Sequence, residues 1–107
     1  MRNKRPLVLL LLAFCLAQPA LGATVFGTPD CGEWLSGKKG KELDKAWLIG
    51  YLSGISVANP KEGDPLGKIS SIEQIFVWMN NYCQRNPLKD ISDGANRLFS
   101  ELLSSPK

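Results

Sequence analysis

Two cysteines stand out among the residues whose type and spacing could carry chemistry. Cys31 and Cys83 enclose a loop of about 53 residues, and neither belongs to the Cys-x-x-Cys pair that redox-active thiols commonly form. In a small exported domain, such a pair is typical of a structural disulfide, which stabilises a loop of this length by roughly 4 kcal/mol. We therefore predict a structural disulfide between Cys31 and Cys83.

Acid–base catalysis would have to rely on carboxylates, lysine or tyrosine, because the sequence contains no histidine. This absence excludes Ser-His-Asp and Cys-His nucleophile systems, imidazole zinc ligands and a histidine-based pH switch. Paired acids occur at Glu42 with Asp44 and at Asp90 with Asp93, each at a predicted helix start, where the helix dipole explains them. None lies in an apolar run that would raise the pKa of a general acid.

The acids are also spread along the chain rather than clustered as oxygen ligands of a metal would be. We therefore predict no catalytic residues, no cofactor and no metal site. The protein is expected not to be an enzyme.

The net positive charge of the chain comes from its first five residues. The sequence has 13 Lys and Arg against 10 Asp and Glu, a net charge of +3. Arg2, Lys4 and Arg5 supply that whole excess, because without them 13 − 3 = 10 bases face the same 10 acids. A neutral chain lacks the surplus of bases that binding to phosphates requires, so no nucleic-acid partner is expected.

The first residues have the layout of a secretory signal peptide. The three bases precede an apolar run over Leu7–Ala17, which is followed by a helix breaker and small residues. The run of about 11 residues is well short of the roughly 20 that span a bilayer as a helix. We predict cleavage after Gly22, giving a leader of residues 1–22, with cleavage after Ala23 as the alternative.

Cys15 lies inside this leader and offers a second interpretation of it, namely lipidation. The bulky Phe14 precedes Cys15 where a lipoprotein signal has a small residue, so we interpret Cys15 as a small hydrophobic residue of the leader. The predicted product is a domain of residues 23–107, 85 residues long, without stable membrane insertion. Its predicted location is the periplasm, with the extracellular space as the second choice.

The remaining chain has the pattern of a helical domain. Thr28-Pro29 predicts the start of a short helix that carries Cys31 and Trp34 and ends before Gly37. Glu42–Ala58 predicts a central, mostly buried helix, because apolar residues occur on almost every side of it.

Gly50 and Gly54 stand four apart on one face of this central helix. Each costs about 1 kcal/mol of helix propensity relative to alanine. We interpret them as the site of a close approach by another helix, with a functional backbone contact as the alternative.

A second long helix is expected after the turn-forming cluster 59–67. Ser70 and Glu73 fit a capping box at its start. Trp78 and Tyr82 form a stripe turned away from its main apolar face, so they are either covered by packing or a surface for a partner. The main face consists of Ile72, Ile75, Phe76, Met79 and Cys83.

Asn86-Pro87 ends that helix and is expected to cap the last one. The apolar face of the last helix comprises Leu88, Ile91, Ala95, Leu98, Phe99 and Leu102. Asp93, Arg97 and Glu101 form a ladder of opposite charges spaced four apart on its outer face. The only candidate strand is 23–27. The predicted fold is all-α, a small single-domain bundle of three main helices plus a short N-terminal helix, stapled by one disulfide.

These segments together resemble the HdeA/HdeB family of small, exported, disulfide-stapled helical proteins. The resemblance rests on three stretches of this sequence, which are Cys31-Gly-Glu-Trp34-Leu35, Ala46-Trp47-Leu48-Ile49-Gly50-Tyr51-Leu52-Ser53-Gly54 and Tyr82-Cys83-Gln-Arg-Asn86-Pro87. A closing amphipathic helix with Ala95 and Leu98 completes it. The match covers essentially the whole predicted mature chain.

The resemblance implies a role in the periplasm of a Gram-negative bacterium. Founding members of the family are acid-stress chaperones that loosen in acid and expose apolar surface to client proteins. Similar small helical proteins act as immunity partners that block toxic effectors. Either role implies a protein partner or client and is compatible with a homodimer.

We therefore predict a non-catalytic, exported protein-binding module. The candidate partner-binding residues are Trp34, Trp78 and Tyr82, because such aromatics are enriched in binding hot spots. The alternatives are an acid-activated holdase chaperone and an immunity protein or inhibitor that neutralises a secreted effector enzyme.

Overall fold

The computed structural model describes residues 24–37 and 41–106, which form one helical domain. The predicted leader, Cys15 and the two alternative cleavage sites lie outside the described residues. The helices are α1 (Cys31–Ser36), α2 (Lys41–Ala58), α3 (Ile72–Arg85) and α4 (Ile91–Ser104), and two 3-10 turns, Pro60–Glu62 and Pro65–Lys68, connect α2 to α3.

Helix α1 starts two residues later than the sequence pattern predicts. Its N-cap is Asp30, whose Oδ1 accepts from the backbone N–H of Glu33 at 2.7 Å, while the Glu33 carboxylate accepts from the N–H of Asp30. The reciprocal bonds of this capping box satisfy N–H groups that the helix itself leaves free. The prediction of Thr28 as the cap is therefore wrong, whereas Gly37 ends the helix in the left-handed conformation (φ 64°).

Helix α2 has the predicted length, but the prediction that most of it is buried is wrong. Only Leu48 and Leu52 are buried, whereas Leu43 and Val57 are 75% and 81% exposed. The helix lies against α4 along one side and presents its other side to solvent. Its apolar residues therefore exceed what one packed side can cover.

The close helix approach occurs at a different glycine from the predicted ones. Among the described residues, a Cβ atom at Gly50 or Gly54 would have no atom of a neighbouring element within 4 Å, so that prediction is wrong. A Cβ atom at Gly94 of α4 would lie 2.5 Å from Met79 Sδ and 3.0 Å from Tyr82 Cδ1. Gly94 is thus the position that lets α4 approach α3.

The start of α3 is shifted by one residue from the prediction. Ser71, not Ser70, is the N-cap, and Gln74 takes the place predicted for Glu73. Gln74 Oε1 accepts from the N–H of Ser70 at 2.8 Å and from that of Ser71 at 3.3 Å. Two adjacent serines fit the capping pattern equally well, and the structure uses the second.

The start of α4 also differs from the sequence interpretation. Asn86 caps the end of α3, and the N-cap of α4 is Asp90, which forms a capping box with Asp93. Leu88 lies in the turn between the helices and is 98% exposed, so its assignment to the apolar face is wrong. The prediction holds for the buried residues Ile91, Ala95, Leu98 and Phe99.

The disulfide predicted between Cys31 and Cys83 is confirmed. It joins α1 to the end of α3 with a Cα–Cα distance of 5.0 Å, and both cysteines are fully buried. Backbone bonds support the same junction, because the N–H of Cys31 donates to Lys89 O and the N–H of Ile91 donates to Pro29 O. The arm before α1 is thereby attached to the start of α4.

The core lies between the four helices, with α1 on α3, α2 on α4 and α3 on α4. Its buried hydrophobic residues are Cys31, Trp34, Leu48, Leu52, Ile75, Met79, Tyr82, Cys83, Ile91, Ala95, Leu98 and Phe99. Residues 24–27 form no strand, and the described ranges contain only one isolated β-bridge, between Asp30 and Asp90. The protein is a small all-α, disulfide-stapled domain.

Within the described ranges, we find no helix that combines the length and the apolar character needed to cross a bilayer.

Candidate functional site

Trp78 and Tyr82 of α3 form one wall of a groove between α3 and α4. Their rings stack with centroids 5.4 Å apart and planes 10° apart, as residues four apart on one helix face can. Tyr82 is 9% exposed, because Gly94 lets α4 pack against it, whereas Trp78 is only partly buried. Trp78 is therefore the accessible ring of the stack.

Glu101 of α4 fixes the position of the Trp78 indole. The indole Nε1–H donates to Glu101 Oε2 at 3.1 Å, and Arg97 Nε donates to Glu101 Oε1 at 3.1 Å. The ladder predicted on α4 is thus formed between Arg97 and Glu101, while the Asp93 carboxylate accepts from the N–H of Asp90. One carboxylate holds the aromatic ring of α3 and the guanidinium of α4 together.

Three bases line this groove. Arg85 is at the end of α3, Lys89 is in the turn, and Arg97 is on α4. Among the described residues, neither Arg85 nor Lys89 forms a salt bridge. We name this feature, of about 350 Å³, the α3–α4 groove and define it by Trp78, Tyr82, Arg85, Lys89, Arg97 and Glu101.

The bases are concentrated in this groove relative to the rest of the described chain. The described ranges contain seven bases, of which three line the groove, and ten acids, of which only Glu101 lines it. The seven bases are Lys41, Lys45, Lys61, Lys68, Arg85, Lys89 and Arg97. Summed over its described lining residues, the groove therefore carries a net charge of +2, three bases minus one acid.

Other acids lie near the groove without lining it. Burial raises the pKa of the Tyr82 phenol, and the neighbouring carboxylates of Asp93 and Asp90 raise it further, against a smaller opposing effect of Arg97. The Tyr82 hydroxyl is therefore protonated near neutral pH. Asp90 and Asp93 bond to the first turn of α4, which occupies oxygens of both carboxylates.

Trp34 was the third residue predicted to contact a partner, and the structure corrects this assignment. Its side chain is 1% exposed and packs against Phe76 with ring centroids 6.2 Å apart. Its indole Nε1–H donates to Asn80 Oδ1 at 2.7 Å, so the polar edge of the ring is also occupied within the fold. Trp34 is a core residue that joins α1 to α3.

A second aromatic stack, partly buried, lies on α2, where the Tyr51 hydroxyl donates to Asn96 Oδ1 of α4 at 3.1 Å. Trp47 and Tyr51 have ring centroids 4.9 Å apart, and the Trp47 indole Nε1–H donates to Phe26 O at 3.0 Å. With Val25 and Gly50 these residues border a shallow apolar depression of about 300 Å³. None of the described residues that line this surface is charged, in contrast to the α3–α4 groove.

A larger open cavity of about 900 Å³ lies between the 3-10 turns and the end of α4. Its cation, Lys68, donates to Ser105 O at 2.7 Å and to Leu102 O. Lys68 thus satisfies carbonyl groups at the C-terminal end of α4, as basic residues there commonly do. Its ammonium group has a structural role in the fold.

Two carboxyl groups have pKa values that depart from the ordinary range in opposite directions. Burial raises the pKa of Asp44, and the negative charges of Glu33 and Asp30 raise it further. Burial acts the same way on Asp90, but hydrogen bonds from Ser92 and from the backbone N–H of Asp93 outweigh it and lower the pKa. The described ranges contain no group of three or more side chains arranged to hold a metal ion.

Comparison with known proteins gives no match to any family model, any curated protein or any solved structure.

The sequence patterns identified the aromatic wall of the groove and Arg97, but not the other two bases. Trp78 and Tyr82 were predicted from their spacing, and the spacing of Arg97 and Glu101 signalled the ion pair. Arg85 and Lys89 carry no such signal, because the fold of the turn between α3 and α4 decides where they lie.

Proposed function

We propose that this protein is a non-catalytic protein-binding module of the periplasm and that its partner docks on the α3–α4 groove. The observation that supports this is the Trp78 indole, which is partly exposed, stacked on Tyr82 and held by Glu101. Tryptophan, tyrosine and arginine are the residues most enriched at binding hot spots. A ring already fixed in position loses little conformational entropy when a partner covers it.

Export to the periplasm is part of the same proposal. The predicted leader supports it, and so does the disulfide, because disulfides persist in oxidising compartments. The resemblance to the HdeA/HdeB family is compatible with this location and with a protein partner. Fractionation of the source cells tests it, since the mature chain should be released with periplasmic proteins and should lack the predicted leader in its intact mass.

Site-specific photo-crosslinking in the source cells tests the docking site. A photoreactive amino acid replaces Lys89 at the rim of the groove in one variant and Lys61, which does not line the groove, in the control. We expect a discrete adduct from position 89, absent from position 61 and lost when Trp78→Ala is added. Mass spectrometry of the adduct identifies the partner.

The proposal would be contradicted by adducts of equal yield at the two positions or by an adduct insensitive to Trp78→Ala. Circular dichroism and thermal unfolding of the Trp78→Ala protein establish that it is folded. The identity of the partner also indicates the role of the protein. A secreted effector enzyme as partner would indicate an immunity protein or inhibitor.

The second candidate function is an acid-activated holdase, and the position of Asp90 favours it. Asp90 caps α4 and forms the β-bridge with Asp30, at the junction that holds the N-terminal arm. Its lowered pKa means that ionised Asp90 stabilises the fold above the unfolded pKa, and that this contribution is lost as the pH falls through the folded pKa. Strong acid therefore weakens this junction.

A client-aggregation assay tests the holdase function. Mixed with an aggregating client at about pH 2 to 3, below the unfolded pKa of Asp90, the protein should suppress light scattering and should not do so at neutral pH. Unchanged scattering in acid would contradict the holdase function while leaving the docking proposal intact.

A further inference from the structure

We propose that the segment the partner places in the α3–α4 groove is acidic, with a carboxylate seated beside Arg97 and an apolar side chain on Trp78. This inference rests on the proposed docking function and adds the chemistry of the ligand. The ligand is an acidic protein segment, because the groove combines cations with an accessible aromatic ring. Phosphate polymers would use only the first of these features.

A carboxylate of the protein, that of Glu101, already bonds to Arg97, beside which the carboxylate of the ligand would lie. Glu101 Oε1 accepts from Arg97 Nε, and Glu101 Oε2 accepts from the indole N–H of Trp78, both at 3.1 Å. A guanidinium has five N–H donors, so the bond to Glu101 leaves four on Arg97. The site is therefore suited to a carboxylate, and Glu101 is an intramolecular competitor for it.

Two further cations extend the attraction along the groove. Arg85 and Lys89 line it, and within the described ranges neither is neutralised by a salt bridge. Basic segments are disfavoured there, because three bases and one acid line the groove among the described residues. Charge complementarity of this kind selects partners and accelerates their association.

The aromatic wall of the groove favours an acidic protein segment over a simple anion as the ligand. The accessible ring of Trp78 offers an apolar surface beside the bases, and the ring of Tyr82 is stacked on it. An acidic segment with interspersed apolar side chains satisfies both features at once. A segment with acids alone would satisfy only the bases.

Fluorescence anisotropy on the oxidised mature protein tests the chemistry with defined probes. The probe is a short labelled peptide in which Glu alternates with Leu, and the controls are the same peptide with Gln or with Lys in place of Glu. We expect only the Glu peptide to bind, with an affinity that falls as salt rises, because exposed charges are screened. Equal binding of the Gln peptide, or of a single-stranded DNA oligonucleotide, would overturn the proposal.

Variants that each remove one charge locate the interaction. Arg97→Gln and Arg85→Gln should weaken binding of the Glu peptide about two- to fivefold each, the range for exposed ion pairs. Lys61→Gln removes the same charge from an exposed turn that does not line the groove and should leave binding unchanged. Glu101→Gln removes the competing carboxylate and should strengthen binding by a similar factor. Equal weakening by Lys61→Gln and Arg97→Gln would overturn the assignment.

The three indole N–H groups provide a site-specific readout, because each has a different partner. Trp34 donates to Asn80, Trp47 to Phe26 O and Trp78 to Glu101. In a nitrogen–proton correlation spectrum, the Glu peptide should shift the Trp78 signal most, and Trp78→Phe assigns that signal by its loss. A dominant shift of the Trp47 signal would place the peptide on α2 and overturn the proposal.

Failure of this inference can be separated from failure of the proposed function. If the cellular adduct at position 89 depends on Trp78 but the Glu peptide does not bind, the acidic ligand is wrong and the docking function stands. If the adduct does not depend on Trp78, the docking function is wrong, whatever the peptide does.

Discussion

Gly94 of α4 lies so close to Met79 of α3 that a Cβ atom at position 94 would be 2.5 Å from the Met79 sulfur. The same Cβ atom would be 3.0 Å from Tyr82 Cδ1. This approach brings α4 against the aromatic stack and so defines the width of the α3–α4 groove.

Replacing Gly94 should therefore destabilise the protein. Gly94→Ala forces Met79 and Tyr82 to move, and overpacking of this kind costs about 1 to 3 kcal/mol, partly offset by the better helix propensity of alanine. Urea unfolding followed by circular dichroism measures the free energy of unfolding.

Gly54→Ala is the matched control, because no other element in the described part of the chain comes within 4 Å of a Cβ atom at that position. Only helix propensity changes there, so we expect a gain of about 1 kcal/mol. A gain from both substitutions would show that α3 and α4 are not in close contact at Gly94.

Loss of the disulfide should destabilise the fold by a few kcal/mol. Cys83→Ser opens a link with a sequence separation of 52 residues that joins α1 to α3, and native disulfides of small domains commonly contribute about 2 to 5 kcal/mol. Differential scanning calorimetry should show a lower Tm than for the oxidised wild type.

The reduced wild-type protein is the control for the cysteine substitution itself. It should melt at a temperature close to that of the Cys31→Ser, Cys83→Ser double variant. An unchanged Tm in both proteins would show that the link does not stabilise the fold.

The helices were predictable from sequence, but their caps and contacts were only partly so. The apolar spacing of Ile75, Met79 and Cys83 identified the buried face of α3. Choosing between Ser70 and Ser71 as the cap required the backbone itself, because either serine can accept the same bonds. Composition likewise did not show which glycine, Gly54 or Gly94, would face a neighbouring helix.

The site was predictable to the extent that its residues are neighbours in sequence. Trp78 with Tyr82, and Arg97 with Glu101, are pairs four apart on one helix and were visible as such. Their meeting across the groove depends on the packing of α3 on α4. Trp34 was misassigned because an aromatic residue one helical turn from a cysteine is equally suited to a core and to a surface.

Asp90 should make the stability of the fold depend on pH in the acidic range. Its pKa is lowered overall, so its stabilising contribution is complete above the unfolded pKa of 3.8 and is lost as the pH falls through the lower folded value. Asp90→Asn keeps a capping oxygen but cannot ionise, so the fall in stability of the wild type below about pH 4 should be reduced in this variant. Urea unfolding at a series of pH values measures the difference.

Asp44→Asn is the control for a carboxyl group with the opposite shift. Burial and the charges of Glu33 and Asp30 raise the pKa of Asp44, so ionised Asp44 opposes folding above its folded pKa and this effect disappears below the unfolded value. Asp44→Asn should therefore not reduce the acid sensitivity. Equal pH profiles for Asp90→Asn and the wild type would remove Asp90 as the acid-sensitive group.

The Glu101 side chain should position Trp78 while contributing little to global stability. Its ion pair with Arg97 is exposed, with 67% of the arginine side chain and 48% of the glutamate side chain accessible, and exposed pairs contribute about 0.2 to 1 kcal/mol. Glu101→Ala should lower the free energy of unfolding by no more than about 1 kcal/mol, yet it leaves the Trp78 indole N–H without its acceptor within the fold. We therefore expect a large shift of the Trp78 indole signal and small shifts of the Trp34 and Trp47 signals. Comparable shifts of all three would mean that Glu101 supports the whole domain rather than this one ring.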